Sequence, residues 1–210
     1  VTHTDPEAGK AFFQTNDQPT QANFYVYLLD NLLSLDHYVD VQTGDLDIVS
    51  TAAETTLYSV TIPANTLGTT GCIGLTLWGD FLFNNAAGNT ITPRVKFGGV
   101  TSIAAAYIPY NSGGLSASRF PWYMRILVAN RGATNAQLIT YEAGYQGGGT
   151  NAYSTGIGLV DTGQRYTMGQ NTAAIDTTVD QTLLISLQWS ASSANNSWRR
   201  RWARTQLGRN

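Results

Sequence analysis

Residues 182–189 read TLLISLQW, with Leu183, Ile185, Leu187 and Trp189 at every second position. A period of two puts these four side chains on one face of an extended chain and marks a half-buried antiparallel strand. Working outward, the same period recurs in LYSVTI (57–62), CIGLTLWGDFLF (72–83, interrupted at Gly79), ITPRVKF (91–97), WYMRILV (122–128) and AQLITYEA (136–143). Clusters of Gly, Asn, Ser and Pro separate these runs: PANTLGTTG, NNAAGNT, NSGGLSAS, ANRGATN and the longer GYQGGGTNAYSTGIG. Such clusters carry turn chemistry. Short strands punctuated in this way, with no helical pattern between them and no fixed repeat, predict an all-β, antiparallel sandwich or barrel from about residue 45 onward.

The pattern differs upstream. In residues 21–41, QANFYVYLLDNLLSLDHYVDV, the side chains Phe24, Tyr25, Tyr27, Leu28, Leu32 and Leu35 follow i, i+3, i+4, i+7 spacing, which predicts a short amphipathic helix. Its apolar face needs a cover, from this chain or from a partner. Residues 1–20 are polar and hold Pro6 and Pro19, as an extended arm does. The expected division is an N-terminal arm and docking helix over 1–44 and a β-sandwich over 45–210.

Charge supports the division. Of 210 residues only 12% are charged, about half the usual ~25%; Thr, Gly, Asn and Ser take their place. Hydrophobic residues make up 42% and aromatics 11%, so the chain has the material for a core and is not of disordered composition. Residues 1–54 hold nine acids and one base, Lys10, while the remainder holds five acids and eleven bases. A net −8 followed by a net +6 implies different surroundings for the two segments. No run of 18 apolar residues exists, so no membrane insertion is expected. VTHTDPEAGK has neither a basic start nor an apolar stretch, so a secretory leader is expected to be absent or already removed.

Groups for catalysis are scarce. Cys72, the single cysteine, lies in the apolar GCIGLTL and reads as an inert thiol, with no disulfide and no thiolate metal site open to it. His37 stands beside Asp36 and Asp40 but lacks the spaced second histidine of a zinc helix. Asp80 and Glu142 are the two carboxylates a glycosidase reading needs, and no spacing rule brings them together. Asp176 and Asp180 flank a strand entry, where side-chain to backbone turn bonds are the ordinary role. GYQGGGTN lacks the lysine of a phosphate loop. No catalytic residue, metal or cofactor is expected.

Two clusters suit contact instead. SWRRRWARTQLGRN carries Arg199, Arg200, Arg201 and Arg204 with Trp198 and Trp202. Strict alternation puts Trp198, Arg200, Trp202 and Arg204 on one face, with Arg199, Arg201 and Ala203 on the other. Pairing of these arginines with the acids of residues 1–54, within the chain or across subunits, outweighs nucleic-acid binding, since net charge is −2 and no second basic patch exists. Tyr107, Tyr110, Tyr145 and Tyr153 sit among Asn, Ser and Gly, a composition suited to binding loops.

Four segments in order resemble a jelly-roll-like domain of tailed-bacteriophage virion surface proteins, of the tail-fibre, head-fibre and capsid-decoration type. They are TLYSVTIPANTLGTTGCIGLTLWGDFLFNN, NTITPRVKFGG, RFPWYMRILVANRGATNAQ and AIDTTVDQTLLISLQWSASSANNSWRRRWARTQL, within about residues 45–207. The resemblance implies a non-enzymatic structural protein at the virion surface, assembled in the host cytoplasm, usually a homotrimer, and supplies no catalytic residue. Other virion proteins, of capsid or tail, are the expected partners. Residues 1–44 lie outside it, and Phe24, Tyr27, Leu28, Leu32 and Leu35, with the four arginines, are the candidate docking and oligomer contacts. A carbohydrate-binding module using the tyrosine loops on a host surface glycan is the alternative.

Overall fold

A computed structural model describes residues 37–49, 51–84, 89–104, 119–146 and 164–208. Among them the strands are β1 (His37–Gln42), β2 (Leu46–Val49), β3 (Thr55–Ile62), β4 (Cys72–Phe83), β5 (Ile91–Phe97), β6 (Val100–Ala104), β7 (Phe120–Asn130), β8 (Gln137–Gln146), β9 (Gln164–Ala173), β10 (Gln181–Trp189) and β11 (Asn196–Gly208). They form an antiparallel, jelly-roll-like β-sandwich. The larger sheet runs β1-β11-β4-β7-β8-β9, with β2 also on β11, and the smaller runs β3-β10-β5-β6.

The alternating apolar positions are the inner faces. Leu183, Ile185, Leu187 and Trp189 of β10 meet Ile73, Leu75, Leu77 and Phe81 of β4 and Trp122, Met124, Ile126 and Val128 of β7 in one core. Each large side chain removed from water contributes about 1.5–3 kcal/mol, so the two inner faces supply the main drive for folding. At one end the core is aromatic: Trp198 stacks on Phe81 at 5.2 Å and meets Trp122 at 5.0 Å between ring centroids. At the other end a buried polar cluster closes the turns, in which Asn130 Nδ2 donates to Gly68 O (2.6 Å) and Gln137 Nε2 donates to Asn130 Oδ1 (2.7 Å) and Ile175 O (3.0 Å).

Two expectations are corrected. Residues 37–41, read as the end of the helical segment 21–41, belong to β1, which hydrogen bonding along β11 makes an edge strand. The body therefore begins eight residues before 45, and 1–36, with the predicted arm and helix, lie outside the described residues. In β11 strict alternation fails. Arg200 pairs with Gly79 and Trp202 with Trp78, leaving Arg201 as the extra residue of a β-bulge. Beyond it the inward positions are Ala203 and Thr205, while Trp202 and Arg204 turn to the outer face with Arg199 and Arg201.

Gly79 explains why the bulge sits there. A Cβ at this position would run into the Arg199 carbonyl oxygen and lie 2.7 Å from Cζ2 of Trp122. Only glycine lets the Trp122 indole pass and donate from Nε1 to that same carbonyl at 3.1 Å. Gly79→Ala is expected to cost about 3 kcal/mol, the upper end for overpacking, because a backbone oxygen cannot rotate away. Gly74→Ala, on the same strand with nothing within 4 Å of the new methyl, is expected to stay within about 0.5 kcal/mol of the parent; urea denaturation of both variants checks the contrast.

Candidate functional site

Three groups of polar and aromatic side chains surround the bulge. The first is an ion network on the outer face where β2, β11 and β4 meet. Arg199 grips Asp47 with two hydrogen bonds, from Nε to Oδ1 and from Nη2 to Oδ2, each 2.7 Å. Arg201 reaches Asp80 Oδ2 at 2.6 Å and Asp45 Oδ2 at 2.9 Å. Arg119 donates to Asp80 Oδ1 and to Ser197 Oγ (2.7 Å). Three carboxylates and three guanidinium groups balance. The arginines of 199 and 201 thus meet acids of residues 1–54 within the chain, at the two bulge-adjacent positions that alternation had placed together.

The second group lies beneath. Arg200 is only 7% exposed. Its guanidinium donates to Gln42 Oε1, to Leu57 O (3.2 Å) and to Gly44 O (3.3 Å). Gln42 Nε2 and Tyr58 Oη both donate to Asp40 Oδ2, at 2.7 and 2.8 Å, and Tyr58 Oη also meets Thr205 Oγ1 at 2.6 Å. Burial pulls the Arg200 guanidinium below its ordinary value and pushes the Tyr58 phenol up. This cluster ties β1 and the loop after it to both sheets.

The third group is the outer face of the larger sheet. Across β11, β4 and β7, Trp202, Trp78 and Tyr123 stand in one register row. In the next row Arg204, Thr76, Arg125, Glu142 and Met168 cross all five strands from β11 to β9. The Arg125 guanidinium lies 5.6 Å from the Tyr123 ring centroid and that of Arg204 5.4 Å from Trp202. Tyr123 Oη donates to Glu142 Oε1 at 2.7 Å, and the ring packs against Trp78 at 5.5 Å. Gly144 opposite Tyr123 admits the ring, since a Cβ there would lie 2.5 Å from its Cε1. Trp78 stays 45% exposed and Met168 78% exposed. Beside the row a groove of about 490 Å³ runs over β7, β8 and β9, lined by Arg125, Leu127, Thr140, Glu142, Met168 and Gln170.

Asp80 and Glu142 stand on the same face but two strands and four residues apart, since Asp80 pairs with Pro121 and Glu142 with Arg125. Strand spacing and rise put them about 16 Å from each other, beyond the ~5–9.5 Å of a glycosidase pair. Asp176 accepts from Thr178 N at 2.9 Å, the expected turn contact, whereas Asp180 accepts from Ala64 N at 2.8 Å and so ties its turn to the loop after β3. Cys72 is half-buried, its thiol 3.6 Å from Gly208 O. Tyr145 belongs to β8, not to a loop: the ladder with β7 and β9 continues through it, pairing it with Trp122 and Arg165. Tyr107, Tyr110, Tyr153, Phe24, Tyr27, Leu28, Leu32 and Leu35 lie outside the described residues. Among the described residues no group of three His, Cys, Asp or Glu could hold a metal ion, and no helix is long and apolar enough to cross a membrane.

The aromatic row was missed in the sequence, although a signal existed. Trp78 is out of phase with Ile73, Leu75 and Leu77, and Tyr123 is out of phase with Trp122 and Met124. An aromatic at an outward strand position is a surface feature that alternation exposes once the inner set is fixed.

No family model and no curated protein matches the chain. Among solved structures it is similar to lectin I from Ulex europaeus, crystallised with the methyl glycoside of α-L-fucose. Identity is 11% over 80% of this chain and 91% of that one, with a TM-score of 0.32. At that level nothing about ligands passes from the lectin to this chain.

The ion network gives a pH dependence. Arg199 hydrogen bonding holds the Asp47 carboxyl below its ordinary value against a smaller burial effect. Burial pushes Asp80 up, but hydrogen bonds from Arg119 and Arg201 together outweigh it and leave the carboxyl lowered. Both therefore titrate lower when folded than when unfolded, so their stabilisation is complete above the ordinary carboxylate value and is lost as pH falls through the folded ones. The melting temperature is expected to hold from pH 7 to about 5 and to drop below about pH 4. Asp80→Asn is expected to flatten that drop and to cost about 2 kcal/mol at neutral pH, as lost charge-assisted bonds do; thermal circular dichroism from pH 7 to 3 reads both.

Proposed function

We propose that the chain is a non-enzymatic structural protein of a bacteriophage virion surface. In this reading the segment ahead of β1 docks onto the capsid or tail, and the sandwich is the projecting body of a homotrimer, as capsid decoration, head fibre or compact receptor-binding tip. The observation that carries it is the tether. Residues 1–36 lead into β1, and β1, its following loop and β2 are held to β11 by Gln42, Gly44, Asp45 and Asp47 through Arg200, Arg201 and Arg199. A force on an attached arm is thereby shared between the edge strand β1 and its neighbour β11 by side-chain bonds as well as by the backbone ladder. The four-segment resemblance and the acidic character of residues 1–54 support the same reading. So does the use of carboxylates: Asp47, Glu54 and Asp80 engage guanidinium or ammonium groups, while Glu142 accepts from Tyr123.

Light scattering of the full chain at micromolar concentration is expected to give a mass near three times 22.7 kDa. Antibody labelling of purified particles is expected to mark regular surface positions. A monomer in solution together with unlabelled particles refutes the proposal.

A further inference from the structure

The geometry points to an oligosaccharide-binding site on the outer face of the larger sheet, centred on Trp78 and extending along the groove over β7, β8 and β9. This goes beyond the virion reading and does not depend on it. A sugar ring offers two chemistries: an apolar C–H face that packs on an aromatic ring, and an edge of hydroxyls that both donate and accept. The face supplies both. Trp78 presents an indole that is 45% exposed. Within the adjacent groove Arg125 can donate, Glu142 can accept, and Thr140 and Gln170 can do either. Trp78 and Met168 are three strands and one row apart, about 16 Å by strand spacing and rise, so the site is long enough for more than one sugar ring.

The platform is also held in place ahead of any ligand. Arg125 lies over Tyr123, Arg204 lies over Trp202, Tyr123 Oη is bonded to Glu142, and Gly144 leaves space for the Tyr123 ring. Fixing aromatic side chains beforehand lowers the ordering cost of binding. A protein partner fits less well. The groove has a volume of about 490 Å³, within the ~300–1,000 Å³ of small-ligand sites, and the exposed apolar groups of the face, Leu127 and Met168 in the groove and Trp78 beside it, are interleaved with charged and polar ones. A stable protein interface needs about 800 Å² per side with a charge-depleted centre.

The test uses the full-length chain on an array of immobilised neutral and acidic oligosaccharides, followed by calorimetric titration with the best-binding oligosaccharide of that array. Wild type is expected to bind. Trp78→Ala is expected to weaken binding at least ten-fold with an unchanged melting temperature, Trp78→Phe to recover part of it, and Glu142→Gln to weaken it several-fold. Absence of binding across the array overturns the inference, as does binding that Trp78→Ala leaves intact. So does a Trp78→Ala variant whose main change is a smaller oligomer by light scattering, which assigns the face to protein contact. Particle labelling is unaffected by any of these results, so failure here and failure of the virion reading remain distinguishable.

Discussion

Gly79 has no room for a side chain, and most of the larger sheet follows from that. The space above its Cα is filled by the Trp122 indole and the Arg199 carbonyl oxygen, which share a hydrogen bond of 3.1 Å. With the Arg199 carbonyl bonded to an indole at this point, the chain takes up one extra residue, and β11 changes phase between Arg200 and Trp202. One strand thereby does two things. Its first half sends Trp198 into the core and Arg200 into the seam with β1 and β3; its second half sends Ala203 and Thr205 inward and turns Trp202 and Arg204 out. Without the extra residue, two arginines and two tryptophans compete for one face, and a buried, unpaired guanidinium costs more than the core could offset.

The parts of the fold that were legible in the sequence are those whose burial is one-sided. β3, β4, β5, β7, β8 and β10 carry apolar side chains at every second residue because one face of each meets the core. The rest lacks that signature for identifiable reasons. β2 and β6 are four and five residues long, too short for a period to register. β9, QRYTMGQNTA, ends the larger sheet and is held by hydrogen bonds to β8, with its Met168 78% exposed. A bulge is a one-residue insertion into the pairing, so it leaves no compositional trace in its own strand; Gly79, on the strand opposite, was the visible clue. Of the site, the arginines and the acids they meet could be read from charge segregation. The outward row of Trp78 and Tyr123 could have been read from phase, but only relative to an inner set already fixed.

Low charge also takes on a spatial meaning. The described ion pairs fall in two places: the Asp45, Asp47 and Asp80 network around the bulge, and Glu54 with Lys96 (2.5 Å) and Arg94 (3.9 Å) on the smaller sheet. At the turn-rich end the buried groups are neutral amides and hydroxyls, with Asn130, Gln137 and Thr177 bonded to one another and to backbone carbonyls. A neutral polar group is less costly to bury than an ion, so Asn, Gln and Thr can close the end of a sandwich where charged side chains would have to remain hydrated.

The seam held by Arg200 joins residues 158 positions apart to Gln42 and 143 apart to Leu57. During synthesis β1 and β2 therefore leave the ribosome long before β11, and β3 long before β10, while β4 likewise waits for its β11 neighbour although it can already pair with β7. Contacts of such separation are slow to form, because the entropy of closing the loop comes before the gain. The early strands, with Val41 and Val49 on their surface, spend that interval as unpaired edges at the concentration of nascent chains. That is the period in which this protein is most exposed to misassembly with its own copies.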